Sequence, residues 1–411
     1  MTGRHAGSVL RSTPIRALIL AEVVSLTGSQ MTWLALPWFV LTTTGSATRT
    51  AVVVAAELIG LGLFTLPAGR LLHRLGARRT MLWCDGARAP LLALIPALHV
   101  LDVLTFPLLL GIVVVLGAAS APYFSAGKVI VPELLGEDEH LITRASALLQ
   151  SANRATFLLG PVLGGVLISV LSAPAVLLVD AATYLVALCL VAAFVPRTVR
   201  ATPLDEDAGI AAGIRFLVRE PLLRVWTLAI SIGDAAWLAF FVTVPVLVVE
   251  RFDADPRVAG WLIASFGVGA LIGNGIAFRF FAGTDGLTLI GTFVLGQALP
   301  LWLLVGDFPV LAYSGALALS GIANGLVNPS LHALMTLRIP AALRPTAMSA
   351  MALVFVAVQP LGLLLAGPVL DALGPTPVLA GFAAVQTASM GAMAVSSLRA
   401  RAREQAHVLP A

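Results

Sequence analysis

Charge is what this sequence has least of: 11% of its 411 residues are charged and 59% are hydrophobic, where a soluble domain carries about 25% charged residues. That scarcity excludes a water-soluble globule and points to an integral membrane protein. Lysine is rarer still, with Lys128 the single one among 25 cationic residues. The net charge of +4 implies no nucleic-acid partner, because cations beside membrane spans are expected on their own account. Cysteine is nearly absent too. Cys84 and Cys189 both fall inside apolar stretches, which excludes a disulfide framework or thiolate metal site and leaves two small hydrophobes. No glycine-rich phosphate loop ending in Lys-Ser or Lys-Thr occurs, so no nucleotide is implied. The six histidines are scattered, without a His-x-x-x-His pair or a well-placed Gly-x-Ser-x-Gly element; an intramembrane enzyme lacks its constellation, and no cofactor or metal is expected.

What the chain does have is long apolar runs. A helix needs about 20 apolar residues to cross about 30 Å of hydrocarbon. Cutting at glycine, proline and charge clusters gives spans at 15–41, 47–68, 80–100, 103–126, 146–171, 174–195, 222–249, 257–281, 285–305, 308–333, 345–370 and 375–397. The expected fold is all-α and membrane-integral, twelve transmembrane helices in two six-helix pseudo-repeats. Residues 1–14 are polar and basic with no small-residue cleavage site, so the first span is expected to stay in the mature chain.

Arginine placement sets the orientation. With both termini inside, the cytoplasmic segments hold 20 cations and the outer loops three, Arg49, Arg251 and Arg257. Such an asymmetry is the positive-inside pattern of an even number of spans. The densest cluster, Gly69-Arg70-Leu71-Leu72-His73-Arg74-Leu75-Gly76-Ala77-Arg78-Arg79, reads as a short cytoplasmic loop after span 2.

The longest polar stretch, 196–221, separates a bundle at 1–195 from a second at 222–411 with a basic tail. Its back reads as an amphipathic helix on the inner surface. The halves echo one another: Arg144 stands 17 residues before Pro161, and Arg344 stands 16 before Pro360. Duplicated halves with Gly/Pro-interrupted spans at matching places point to a secondary transporter with its site between the halves.

These residues resemble the major facilitator superfamily, whose pattern after the second span is Gly-x-Leu-x-Asp-Arg-x-Gly-Arg-Arg. Gly69, Leu71, Arg74, Gly76, Arg78 and Arg79 match it. Ala35-Leu36-Pro37, Thr44-Gly45-Ser46-Ala47, Asp85-Gly86-Ala87-Arg88-Ala89, Val131-Pro132-Glu133, and Gly160-Pro161 with Gly164-Gly165 are similar to its drug:proton antiporter branch of macrolide, tetracycline and siderophore exporters. The resemblance implies a cytoplasmic gate at Gly69, Arg70, His73, Arg74, Gly76, Arg78 and Arg79. The family's acidic position is His73 here, so Asp85, near Arg88, is the carboxylate left to answer the loop arginines.

Carboxylates inside spans are costly, roughly 2.5–3.5 kcal/mol at a helix centre, and so informative. Asp234 ranks first as a proton-coupling residue, Glu57 second and Glu22 third; Arg154 of span 5 is a rival ion-pair partner for Glu22, or an attractor of anionic substrate. In span 1, Glu22, Ser25, Ser29 and Trp33 share one helical face, as do Thr227, Ser231, Asp234, Trp237 and Phe241 in span 7. The resemblance implies that spans 1, 4, 7 and 10 line the cavity, adding Ser120, Tyr123, Phe124, Asn324 and Asn328. Interhelical hydrogen bonding is the competing role for the polar stripes.

The expected function is proton-coupled export of amphipathic small molecules, such as drugs, from a multi-pass position in a bacterial cell membrane. Its partners are the lipid bilayer, protons and a small-molecule substrate, and a monomer is expected to suffice. A dedicated exporter of one metabolite or siderophore, and an uncoupled facilitator or importer, stay open as alternatives.

Overall fold

Apolar runs that leave no backbone group for lipid to satisfy must fold as helices, and the chain obeys. In the computed structural model, residues 12–135, 139–197, 210–281 and 283–408 are described. Among them, twelve helices are long and apolar enough to cross a membrane. Spans 1 to 6 are Thr13–Thr44, Ala47–Leu75, Ala77–Val100, Phe106–Leu135, Glu139–Val170 and Ala173–Phe194. A ten-residue helix, Ile210–Arg219, precedes span 7 at Pro221–Arg251, span 8 at Pro256–Phe280, and span 9, which begins as Gly286–Phe293. Spans 10 to 12 are Val310–Leu337, Arg344–Leu373 and Pro375–Val408.

The chain divides into two compact units, one of residues 1–45 and 53–204, the other of 46–52 and 205–411. In the first, Leu18, Met81, Ile130 and Val191 belong to one buried cluster drawn from spans 1, 3, 4 and 6. In the second, Trp226, Ile290, Met351 and Met393 anchor the corresponding core. Glycines bring helices to backbone contact where a side chain would collide: a Cβ on Gly117 would stand 2.0 Å from the Glu57 carbonyl oxygen, and one on Gly362 2.0 Å from that of Ala235. Packing of this kind holds helices together in lipid, where burial alone does not. At one end of the second unit, Arg251 donates to the Gly306 carbonyl at 3.0 Å, the Tyr313 hydroxyl at 2.6 Å and the Thr376 hydroxyl at 2.6 Å, tying spans 7, 10 and 12 together.

Two expectations from sequence need correction. The arginine-rich stretch is not a loop over its whole length: span 2 stays helical through Leu75, and Gly76 alone, at φ 76°, breaks it. Nothing in 69–75 prevents helix, and glycine is the residue that adopts a positive φ freely. Span 9 is not a continuous α-helix either. After Phe293 it tightens into 3₁₀ segments at Val294–Gln297 and Leu299–Leu304, where Gly296 weakens the helix and Pro300 offers no amide hydrogen. Span 10 compensates, with the Ser320 hydroxyl donating to the Gln297 carbonyl at 2.6 Å.

Candidate functional site

In the first unit, polar groups from spans 1, 3, 4 and 6 converge inside the bundle. Arg88 and Asp85, three residues apart on span 3, form a buried ion pair. Rings enclose the guanidinium: its carbon lies 4.2 Å from the centroid of Tyr123 and 4.3 Å from that of Tyr184, an arrangement that offers π-electron density to a cation. Asp180 is fully buried and accepts from the Thr32 hydroxyl at 2.6 Å and the Thr183 hydroxyl at 2.9 Å. Ser29 and Tyr184 share a hydrogen bond of 2.9 Å. Glu22, Tyr123 and Phe124 line a cavity of about 300 Å³ that also takes in Lys128 and Asn153.

Several sequence expectations shift here. Asp85 and Arg88 were expected at the cytoplasmic gate, yet they are 0% and 4% exposed and bonded to each other. Their place on a helix face that packs on spans 4 and 6 could not be read from distance along the chain. Arg154 is exposed and forms no ion pair with Glu22 among the described residues. Ser29 shares its hydrogen bond with Tyr184, Ser120 donates to the Leu116 carbonyl at 3.0 Å, and Trp33 is exposed; none of the three is among the described lining residues of this first-unit cavity. Glu57 is half-buried. Of the gate residues, Arg70, His73, Arg74 and Arg79 are exposed around Gly69 and Gly76. Arg78 instead donates to the Val195 and Ala192 carbonyls at 2.6 and 2.7 Å, capping the end of span 6, where a cation meets the negative pole of the helix dipole.

The second unit holds a larger cavity, about 390 Å³, walled by spans 7, 9, 10, 11 and 12. Asp234, Trp237, Asn324 and Asn328, all singled out from sequence, line it. Phe241 does not; it packs 6.1 Å from Trp237 in an aromatic cluster with Phe240, Phe266 and Phe382. Asp234 makes no ion pair or hydrogen bond among the described residues, and no other Asp, Glu, Lys or Arg appears among the described lining residues. The Asn324 amide donates to the Gln297 carbonyl oxygen of the side chain at 3.3 Å, which braces the 3₁₀ stretch of span 9.

Sequence reasoning missed Gln297, His332, Gln386 and five methionines, Met335, Met348, Met351, Met390 and Met393. They are five of the eight methionines in the chain. The signal was present: Met348, Met351 and Phe355 recur at helical spacing, and so do Gln386, Met390 and Met393.

Residues 18–363 match the family model described as Major Facilitator Superfamily. The chain belongs to the major facilitator superfamily. It is therefore a secondary transporter of small molecules in the bilayer and not an enzyme. This facilitator is 26% identical over 381 residues to the multidrug efflux pump Tap of Mycolicibacterium fortuitum, covering 88% of this chain and 90% of the relative. It is 24% identical over 377 residues to the protein of that name from Mycobacterium tuberculosis, with 88% of each chain covered. Among solved structures, the nucleoside transporter NupG superposes with a TM-score of 0.75 at 12% identity, over 93% of this facilitator and 98% of that chain. The human organic anion transporter MFSD10 does so with 0.60 at 17%, over 93% and 99%. At such identities the structural likeness establishes the fold alone.

Proposed function

We propose that this facilitator is a proton-coupled exporter of amphipathic small molecules, working in a bacterial cell membrane with both termini cytoplasmic. The observation that carries the reading is Asp234, an unpaired carboxylate in span 7 on the wall of a 390 Å³ cavity otherwise free of acidic, lysine or arginine side chains among the described residues. A carboxylate with no cation of its own can take a proton on one face of the membrane and give it up on the other as a cationic substrate binds. One charge moved through about 100 mV supplies about 2.3 kcal/mol, roughly a fifty-fold gradient. The similarity to proteins named multidrug efflux pumps supports the outward direction and a drug cargo. In this scheme 1–195 and 222–411 are the working halves, 196–221 the connection on the inner surface, and the monomer the functional unit.

Inverted vesicles test it. A fluorescent amphipathic cation should accumulate when a proton gradient is imposed and leak when the gradient is collapsed, and Asp234→Asn should abolish the accumulation. Uptake that survives both changes would mark an uncoupled facilitator instead.

A further inference from the structure

Two of the acceptors in the cavity of the second unit have no donor among the described residues. Asp234 is one. Gln386, on span 12, is the other: its amide nitrogen donates to the Gly233 carbonyl at 2.8 Å, one residue from Asp234. The amide orientation is fixed by chemistry, since a carbonyl only accepts. Its oxygen, in a residue with 0% exposure, has no partner among the described residues, an unfavourable state for a buried acceptor. Beside it the wall is soft. Met390, one turn along the same span, places its methyl 3.7 Å from where a Cβ on Gly233 would stand, and an unbranched thioether turns aside at little cost.

A permanent quaternary cation would answer the charge of Asp234 and leave the amide oxygen unsatisfied. An anion would be repelled by that carboxylate. We propose that the cavity binds protonated amines, monocations whose N–H donates to the Gln386 oxygen while their charge lies against Asp234, with the apolar body on the five methionines and Trp237. The selection is for the hydrogen on nitrogen as well as for the charge. A site built around a hydrogen bond discriminates strongly against an analogue that lacks the donor. The inference rests on the reading of this cavity as the substrate site.

The test is direct calorimetric binding to the purified full chain, with an aromatic tertiary amine protonated at pH 7 and its N-methyl quaternary derivative. The amine should bind at least about tenfold more tightly. Gln386→Leu and the near-isosteric Gln386→Met should bring the two ligands within about twofold, chiefly by weakening the amine, while Asp234→Asn should weaken both. Equal affinities in the unaltered protein, discrimination that survives both Gln386 substitutions, or no binding of either ligand would overturn the proposal. Where thermal unfolding shows that the Gln386 variants do not fold, the pair measured on the unaltered protein decides. Amine preference without gradient-driven accumulation in vesicles would sink the export reading and leave this inference standing; accumulation of both ligands alike, with equal affinities, would do the reverse.

Discussion

In the first unit one cation stands among several carboxyl groups: Arg88 bonds Asp85, and its field also reaches Glu22, Glu57 and Asp180. In the second unit Asp234 has no Lys or Arg beside it among the described residues and shares its cavity with five thioethers and two asparagines. Both arrangements carry charge into hydrocarbon, at a cost of roughly 2.5–3.5 kcal/mol per central residue. For Asp85 and Asp180 the first offsets that cost inside the protein, through an ion pair, two tyrosine rings and hydroxyl donors. The second leaves it open to a proton or a ligand. A bound charge gives rigidity, and an unbound one gives something to exchange.

The largest effect that would break this comparison is on stability. Replacing Arg88 with Met leaves Asp85 buried and unpaired, which should cost about 3–5 kcal/mol, read as a large fall in the unfolding temperature in detergent. Asp234→Asn, which removes a charge that no described residue holds, should leave that temperature nearly unchanged. If the two variants unfold alike, the first unit is not held by its ionic core. A smaller effect sharpens the point. Thr32→Val removes the 2.6 Å hydrogen bond to Asp180 and should cost about 1.5–3 kcal/mol, as bonds to charged groups do. The corresponding Asn324→Leu in the second unit loses one 3.3 Å bond between neutral amides and should cost about 0.5–1.5 kcal/mol.

Much of the second unit was legible in the sequence, and less of the first. Asp234 with Trp237 at i+3 on an apolar span reads directly as a cavity wall, because a lone acid in a long apolar run has few other uses. The twelve spans followed from apolar run lengths cut at glycine, proline and charge clusters, with the arginine asymmetry supporting an even count. The ring partners of Arg88, Tyr123 and Tyr184, were not legible because they come from spans 4 and 6, and no spacing along span 3 encodes which neighbour a helix face meets. Arg78 looked like a loop charge for the same reason; the carbonyls it caps lie more than a hundred residues away. The methionines were passed over because each alone is ordinary core. Only the fold shows that five of them line one cavity.

Two of those methionines offer a milder test. Met351→Leu with Met390→Leu conserves volume, so each change should cost less than about 1.5 kcal/mol in stability. The branched side chains adapt less well, and the set of ligands bound by the purified protein should narrow. An unchanged range of affinities would mean that the softness of the second unit is incidental to binding.

The smallest expected effect asks whether burial, and not charge as such, separates the two units. Asp285 belongs to the second unit but stands outside the membrane-spanning segments. It caps span 9 by accepting from the Thr288 amide at 3.0 Å and the Thr288 hydroxyl at 2.7 Å, with Arg401 at 3.8 Å. Partial burial opposes ionisation, but the hydrogen bonds from Thr288 and Leu287 and the nearby Arg401 outweigh it and hold the carboxyl below its ordinary value of 3.8. A depressed carboxyl stabilises the fold fully above its unfolded value and loses that contribution as pH falls through the lower, folded one. Thermal unfolding of Asp285→Ala should therefore show a deficit of about 1 kcal/mol, typical of a lost cap, at neutral pH. The deficit should shrink below pH 3.8. Asp285→Asn, which still caps, should come within a few tenths of a kcal/mol of the unaltered protein. A deficit as large as that of Arg88→Met would show that exposed charge matters here as much as buried charge, and the contrast between the units would fail.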